Sequence, residues 1–158
     1  MSEAIHSDVV VDVPPERAFA VFAADLGSWW PAEYSWSQDV LQEIRIEQRA
    51  GGLCFERGPY GFRCDWGRVL AWDPPERLTI AWQITPRREP EPNPAKASEV
   101  EVRFIPEGDG RTTVRLEHRA FERHGEDGGQ YAQMLGSPQG WPFLLERFAS
   151  ACGGDSSG

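Results

Sequence analysis

His118, Arg68 and Glu56 are the side chains whose types and positions could carry out chemistry. A histidine moves protons near neutrality, a guanidinium holds a carbonyl or an anion, and a carboxylate orients a substrate or accepts its proton. His118 shares strand parity with Val114 and Leu116, which predicts that it faces an apolar interior. There it serves a ligand, acts as a general acid/base, or is a satisfied core histidine bonded to a backbone carbonyl or carboxylate; we favour the last. Arg68 has the parity of Trp66 and Leu70 and either meets a ligand or pairs with a carboxylate such as Glu56, the pairing being the preferred reading. The direction of Glu56 depends on whether its strand bulges. The trio is the alternative catalytic set; the primary expectation names no catalytic residue.

The densest aromatic signal is the run from Trp66 to Gln83, with three of the seven tryptophans on two strand-like segments joined by Pro74-Pro75. Alternation predicts that Trp66, Leu70 and Trp72 share one face, and that Leu78, Ile80, Trp82 and Ile84 share one face of the next strand. Faces this bulky pack a thick core or line a cavity. Phe55, Trp66, Trp82, Phe104, Leu116, His118 and Trp141 are the expected ligand-binding wall. Trp29, Trp30 and Trp36 are placed near an entrance, where an indole can be apolar on one side and keep its N–H wet.

Composition removes several function classes. The 158 residues carry a formal charge of -9, which opposes attraction to phosphate backbones and anionic lipid, so neither nucleic acid nor a membrane is an expected partner. No run approaches the roughly 20 apolar residues of a membrane span, and residues 1–17 have no signal-peptide character, which predicts a cytoplasmic protein. Cys54, Cys64 and Cys152 form no CxxC pair and read as buried apolar residues. His6, His118 and His124 lack metal-ligand spacing, and GxGxxG and GxxxxGK[ST] are absent from the sequence, so no metal or cofactor is expected.

The elements that must position these groups follow from periodicity. Residues 3–13 read as a strand; Pro14-Pro15-Glu16 then opens a helix through Leu26, with Phe19, Phe22, Ala23 and Leu26 on one face. Six period-two runs come next, at 41–48, 53–58, 62–72, 77–85, 98–105 and 111–121. Glu99, Glu101, Arg103, Arg115, Glu117 and Arg119 oppose the apolar positions and predict cross-strand charge pairs on a wet face. Residues 85–98 read as an extended exposed loop. Residues 138–152 read as an amphipathic closing helix kinked near Pro142, and 153–158 as a disordered tail. One domain, 1–152, is expected: an α+β arrangement in which about seven antiparallel strands curl around the C-terminal helix.

This order of elements resembles the START-related helix-grip superfamily (SRPBCC), and within it the branch related to the C-terminal domain of the Hsp90 ATPase activator. The resemblance is carried by Pro14-Pro15-Glu16-Arg17-Ala18-Phe19, Gly51-Gly52, Trp66-Gly67-Arg68-Val69, Pro74-Pro75-Glu76-Arg77-Leu78 with Trp82, Gly110-Arg111-Thr112, Leu116-Glu117-His118 and Gly140-Trp141. It implies a helix-grip fold and commonly a hydrophobic cavity. Activators proper have a further N-terminal domain to which nothing in this sequence corresponds, and no specific cyclase motif maps onto these residues.

The first functional expectation is therefore a protein that binds a hydrophobic, aromatic small molecule between sheet and C-terminal helix without catalysis. The second is a cyclase-, aromatase- or hydrolase-like enzyme using the same cavity. The third is an interaction module, a chaperone cofactor or stress-response component. A homodimer or a protein partner stays open.

Overall fold

The computed structural model describes residues 4–31, 34–85, 89–108 and 110–153. Seven strands form a curled antiparallel sheet: β1 Ile5–Val11, β2 Glu43–Ile46, β3 Leu53–Arg57, β4 Arg63–Asp73, β5 Arg77–Trp82, β6 Ser98–Pro106 and β7 Thr112–Arg119. Their spatial order is β1-β7-β6-β5-β4-β3-β2, so six strands form a meander and β1 closes onto β7. Every expected strand is present. With the C-terminal helix, the architecture is an α+β helix grip.

The helices supply what the concave face buries. In α1 (Pro15–Ala23), Pro15 occupies the first turn, where its missing N–H costs nothing, and Ala18, Phe19, Val21, Phe22 and Ala23 are buried. The sequence reads this helix as continuous through Leu26. It instead ends at Ala23, and a short α2 (Leu26–Trp29) succeeds it.

The C-terminal helix, which is α4 (Trp141–Gly153) because another helix precedes it, buries Trp141, Leu144, Leu145, Phe148 and Cys152 against the sheet, the spacing of one helical face. It starts at Trp141, so Pro142 falls in the first turn and takes no hydrogen bond from the helix interior. The expected entry at residue 138 and the kink near Pro142 are thus replaced by a turn through Ser137, whose carbonyl accepts from Gly140 N–H at 2.9 Å.

That additional helix, α3 (Gly128–Leu135), lies where the Gly-rich sequence suggests only a loop. Gly128 is required there by packing, because a Cβ would run into the Phe121 carbonyl. Within 85–98, the described residues are more ordered than an exposed loop. Glu91 N–H donates to the Gln83 carbonyl at 2.9 Å, Ile84 bridges Pro90, and Pro94–Lys96 forms a turn of 3-10 helix. The tail expected at 153–158 falls outside the described residues after Gly153.

Two irregularities in β4 decide which side chains face inward. Cys54 pairs with Gly67 while Phe55 pairs with Asp65, leaving Trp66 as an extra residue; Val69 pairs with Ile80 while Ala71 pairs with Thr79, leaving Leu70 extra. Each bulge flips the parity of the residues beyond it. Trp66 and Val69 belong to the interior cluster and half-buried Trp72 packs against it, whereas Leu70 is 45% exposed and Arg68 is exposed. The expectations that Leu70 shares the Trp66 face and that Arg68 points inward are corrected accordingly.

On the convex face the expected charge ladder is present. Arg119 donates to Glu99 at 3.1 Å and to Glu101 at 2.9 Å, and Arg77 and Arg103 reach Glu101 at 3.4 and 3.3 Å. Burial alone would raise the Glu101 carboxyl, but the Arg119 hydrogen bond and the three guanidinium charges outweigh it and hold the group below its ordinary range.

Candidate functional site

The cavity lies at one end of the grip, between the sheet, the loop after α2, α3 and the start of α4. It has a volume of about 280 Å³. Indoles build one wall: Trp30 and Trp66 stack at 6.2 Å between ring centroids, tilted by only 17°, while Trp82 meets Trp66 edge-on at 5.9 Å. Ile44, Ile84, Met134, Leu135 and Leu144 complete the apolar lining. Polar lining includes Ser35, Glu56, Tyr131 and Gln139.

Among the described residues, the segment 34–37 is fastened beside the cavity. Tyr34 Oη donates to the Gln139 carbonyl at 3.0 Å, which ties it to the α3–α4 turn. The second fastening is the Glu56 carboxylate, which is fully buried. It accepts from Trp36 N–H at 3.1 Å, Ser37 N–H at 2.9 Å and Ser37 Oγ at 2.8 Å. Glu56 thus holds a loop and does not pair with Arg68, which points away on the other face of the sheet.

The indole donors separate into two kinds. Trp29 Nε1–H donates to the Val21 carbonyl at 3.0 Å, Trp82 Nε1–H to Tyr131 Oη at 2.7 Å, and Trp141 Nε1–H to His118 Nδ1 at 3.0 Å. Tyr131 Oη in turn donates to the Ile84 carbonyl at 2.9 Å. Trp66 Nε1 is buried and, among the described residues, has no hydrogen-bond partner.

His118 sits outside the cavity, beyond Trp82 and Trp141, with no solvent exposure. Because an indole N–H only donates, His118 Nδ1 accepts and its Nε2–H must donate to Ser98 Oγ, 2.7 Å away. The Ser98 hydroxyl then donates to His124 Nε2, also at 2.7 Å. His118 is a satisfied core histidine, though its partners are an indole and a hydroxyl and not the carbonyl or carboxylate expected. The chain of bonds leaves it neither a free acceptor nor a free donor for a substrate.

Burial pushes His118 well below the ordinary value of 6.5, and the His124 charge adds to the effect. Burial also lowers His124, against an opposing pull from Glu91. Since both groups bind protons more readily when unfolded, their contribution to stability is complete above pH 6.5 and is lost as pH falls below it. Urea denaturation is expected to show stability declining from pH 7 to 5.5 by up to about 1.4 kcal/mol per pH unit for each histidine. A His124→Gln variant should have a shallower slope; a flat wild-type profile would contradict the bonding pattern.

The expected wall residues part company. Trp66 and Trp82 line the cavity, and Trp141 borders a second void of only about 10 Å³ behind them. Phe104 packs against Phe19 at 5.1 Å and Leu116 is fully buried in the core. Phe55 lies on the opposite face of β3 from Cys54 and Glu56, buried beneath the Arg63 guanidinium 4.2 Å over its ring. Trp30 and Trp36 line the cavity, but Trp29 is 1% exposed and packs against Phe22 and Phe148.

Tyr131, Leu135 and Gln139 join the site with no sequence expectation behind them. The spacing of Tyr131, Ala132 and Leu135 is the helical signal that could have revealed α3. The three cysteines are buried, and burial raises all their thiols, Cys64 and Cys152 to about 11. Among the described residues no group of three or more His, Cys, Asp or Glu could hold a metal, and no helix is long and apolar enough to cross a membrane.

The family described as "Activator of Hsp90 ATPase homolog 1-like protein" matches residues 12–153, the whole of the sheet-and-helix grip except β1. The chain belongs to this family. Among solved structures, this Activator of Hsp90 ATPase homolog 1-like chain is similar to an anthrahydroquino-gamma-pyrone synthase, Txn09, solved in complex with SUM. The two are 34% identical over 93% of this chain and 95% of that one, with a TM-score of 0.66. It is also similar to CalC, a self-sacrificing resistance protein from Micromonospora echinospora, at 22% identity, coverage of 98% and 96%, and a TM-score of 0.68. Protein MLL2253 from Mesorhizobium loti matches at 18% identity, coverage of 94% and 95%, and a TM-score of 0.61. The latter two likenesses bear on the fold alone. Comparison with curated proteins finds no match.

Proposed function

We propose that this protein binds a flat, oxygen-bearing aromatic small molecule in the cavity walled by Trp30, Trp66 and Trp82. The observation that carries the reading is the stacked indole wall beside an open volume of about 280 Å³. That size lies near the lower end of the roughly 300–1,000 Å³ typical of ligand pockets, which suits a small fused-ring compound. Offset stacking on Trp30 and Trp66 supplies attraction beyond area burial. The 34% identity to a protein named as an anthrahydroquino-gamma-pyrone synthase supports the same ligand class.

A second reading, ring closure on the bound aromatic, is favoured by the same relative and by a buried carboxylate on the cavity. Glu56, not His118, would then be the proton acceptor, because His118 is outside the cavity with both ring nitrogens engaged.

Titration with anthraquinone, followed by quenching of tryptophan fluorescence and by calorimetry, tests binding. Saturable quenching with one site per chain is expected, and Trp82→Ala should weaken it by at least about tenfold. If a panel of fused-ring quinones and phenols gave no saturable signal, the binding reading would fall. Turnover of a bound phenol, abolished in Glu56→Gln, would add the enzymatic reading.

A further inference from the structure

We infer that Glu56 and Trp66 form an acceptor–donor pair that selects neutral aromatics carrying both a hydroxyl and a carbonyl along one edge. The inference rests on the proposed cavity function and specifies the ligand it takes. Glu56 accepts the ligand hydroxyl, and Trp66 Nε1–H donates to the carbonyl oxygen.

The buried indoles are not equally satisfied. Trp29, Trp82 and Trp141 each spend their N–H on a protein acceptor, at 3.0, 2.7 and 3.0 Å. Trp66, 3% exposed and lining the cavity, has no such acceptor among the described residues. A buried donor without an acceptor is costly and uncommon in a folded protein, and at a ligand cavity the acceptor is supplied by the ligand.

Glu56 offers the complementary capacity. A carboxylate has about four acceptor positions. Its Oε2 takes Ser37 N–H and Ser37 Oγ, while Oε1 takes Trp36 N–H, which leaves room for one further donor.

Ordinary alternation along β4 puts Trp66 on the face of Cys64, the partner of Glu56. Glu56 pairs directly with Cys64, and Trp66 lies two residues further along the neighbouring strand, with both side chains lining the cavity. A ligand lying against both side chains would meet an acceptor and a donor on one edge, at hydrogen-bond lengths of about 2.7–3.0 Å.

Charge narrows the class further. The lining contains a carboxylate and, among the described residues, no Arg or Lys, so an anionic ligand would meet repulsion with nothing to offset it. Phosphorylated, sulfated and carboxylated aromatics are excluded from the preferred class. Phenolic quinones and hydroxyaryl ketones fit it.

The experiment is a set of calorimetric titrations using 2-hydroxyanthraquinone, 2-methylanthraquinone and 2-naphthol against wild type, Glu56→Gln and Trp66→Phe. Glu56→Gln should weaken the two hydroxylated probes by about tenfold more than 2-methylanthraquinone, which feels only the loosened segment at Trp36 and Ser37. Trp66→Phe should weaken both quinones by about tenfold more than it weakens 2-naphthol, which loses only the stacking contribution that all three probes share. Thermal denaturation of each variant accompanies the titrations, and Trp66→Phe keeps the test open if Glu56→Gln is poorly folded. Variants that weaken all three probes equally would overturn the pair while leaving the cavity reading intact. Failure of all three to bind wild type would remove both.

Discussion

Trp141→Ala is expected to remove most of the stability of the fold. Trp141 is 2% exposed, packs against Trp82 and Trp30 at 5.5 and 6.4 Å, and fills the space where α4 enters the sheet. Truncating a buried tryptophan costs about 3–5 kcal/mol through lost burial and the cavity left behind. Loss of its N–H also orphans His118 Nδ1, for about 1–3 kcal/mol more. The sum is comparable to the roughly 5–15 kcal/mol that holds a domain together. Trp141→Phe should cost only about 2–3 kcal/mol, because much of the ring remains and the donor alone is lost. Urea titrations of both variants decide the matter; a loss below about 2 kcal/mol for Trp141→Ala would show that the site collapses to heal itself.

Gly140→Ala is expected to be nearly as damaging despite adding one methyl group. A Cβ at Gly140 would drive into the carbonyl of Leu135, with the Leu135 Cα only 2.7 Å away, and these are backbone atoms that cannot rotate aside. Relief requires moving α3 relative to α4, at a cost of about 3 kcal/mol or more. Leu135, Gln139 and Gly140 all line the cavity, so aromatic-ligand affinity should fall with stability. Gly129→Ala is the matched comparison. No atom lies within 4 Å of a Cβ there, and replacing a helical glycine should stabilise the protein by about 0.4–1 kcal/mol. Thermal unfolding of the two variants should therefore move in opposite directions, and a neutral Gly140→Ala would refute the close-packing account.

Much of the sheet was legible because alternation is a local property. Val114, Leu116 and His118 point inward as their parity predicts, and Glu99, Glu101 and Arg119 form the outer ladder. The site was less legible because β4 breaks that alternation twice. A period-two reading carries Arg68 and Leu70 inward with Trp66, and nothing in Trp66-Gly67-Arg68-Val69 announces a bulge except the glycine. A Cβ at Gly67 would come within 2.7 Å of the Ala81 carbonyl, a tertiary approach that residue order does not encode. Glu56 was identified as a polar group of interest, but its partners, Trp36 and Ser37, are 19–20 residues away in a segment with no regular pattern. Likewise the partners of His118 come from β6 and α4 and emerge only when the helix is laid in the grip.

The pairing of β1 with β7 sets an order of events during synthesis. Asp8 finds its place opposite Arg115, so the first strand must wait for more than a hundred residues before its partner exists. At roughly 5–20 residues per second, that interval lasts on the order of 5–20 s. Meanwhile Phe19 and Phe22 of α1 lack Phe104, and Trp29 lacks the Phe148 that later covers it. The β2–β6 meander can assemble from neighbours as it emerges, whereas the aromatic half of the core stays uncovered until α4 arrives. Slow translation through residues 30–110 therefore prolongs exposure of an aggregation-prone N-terminal segment, and the vulnerability of this fold in the cell lies in its timing as much as in its final free energy.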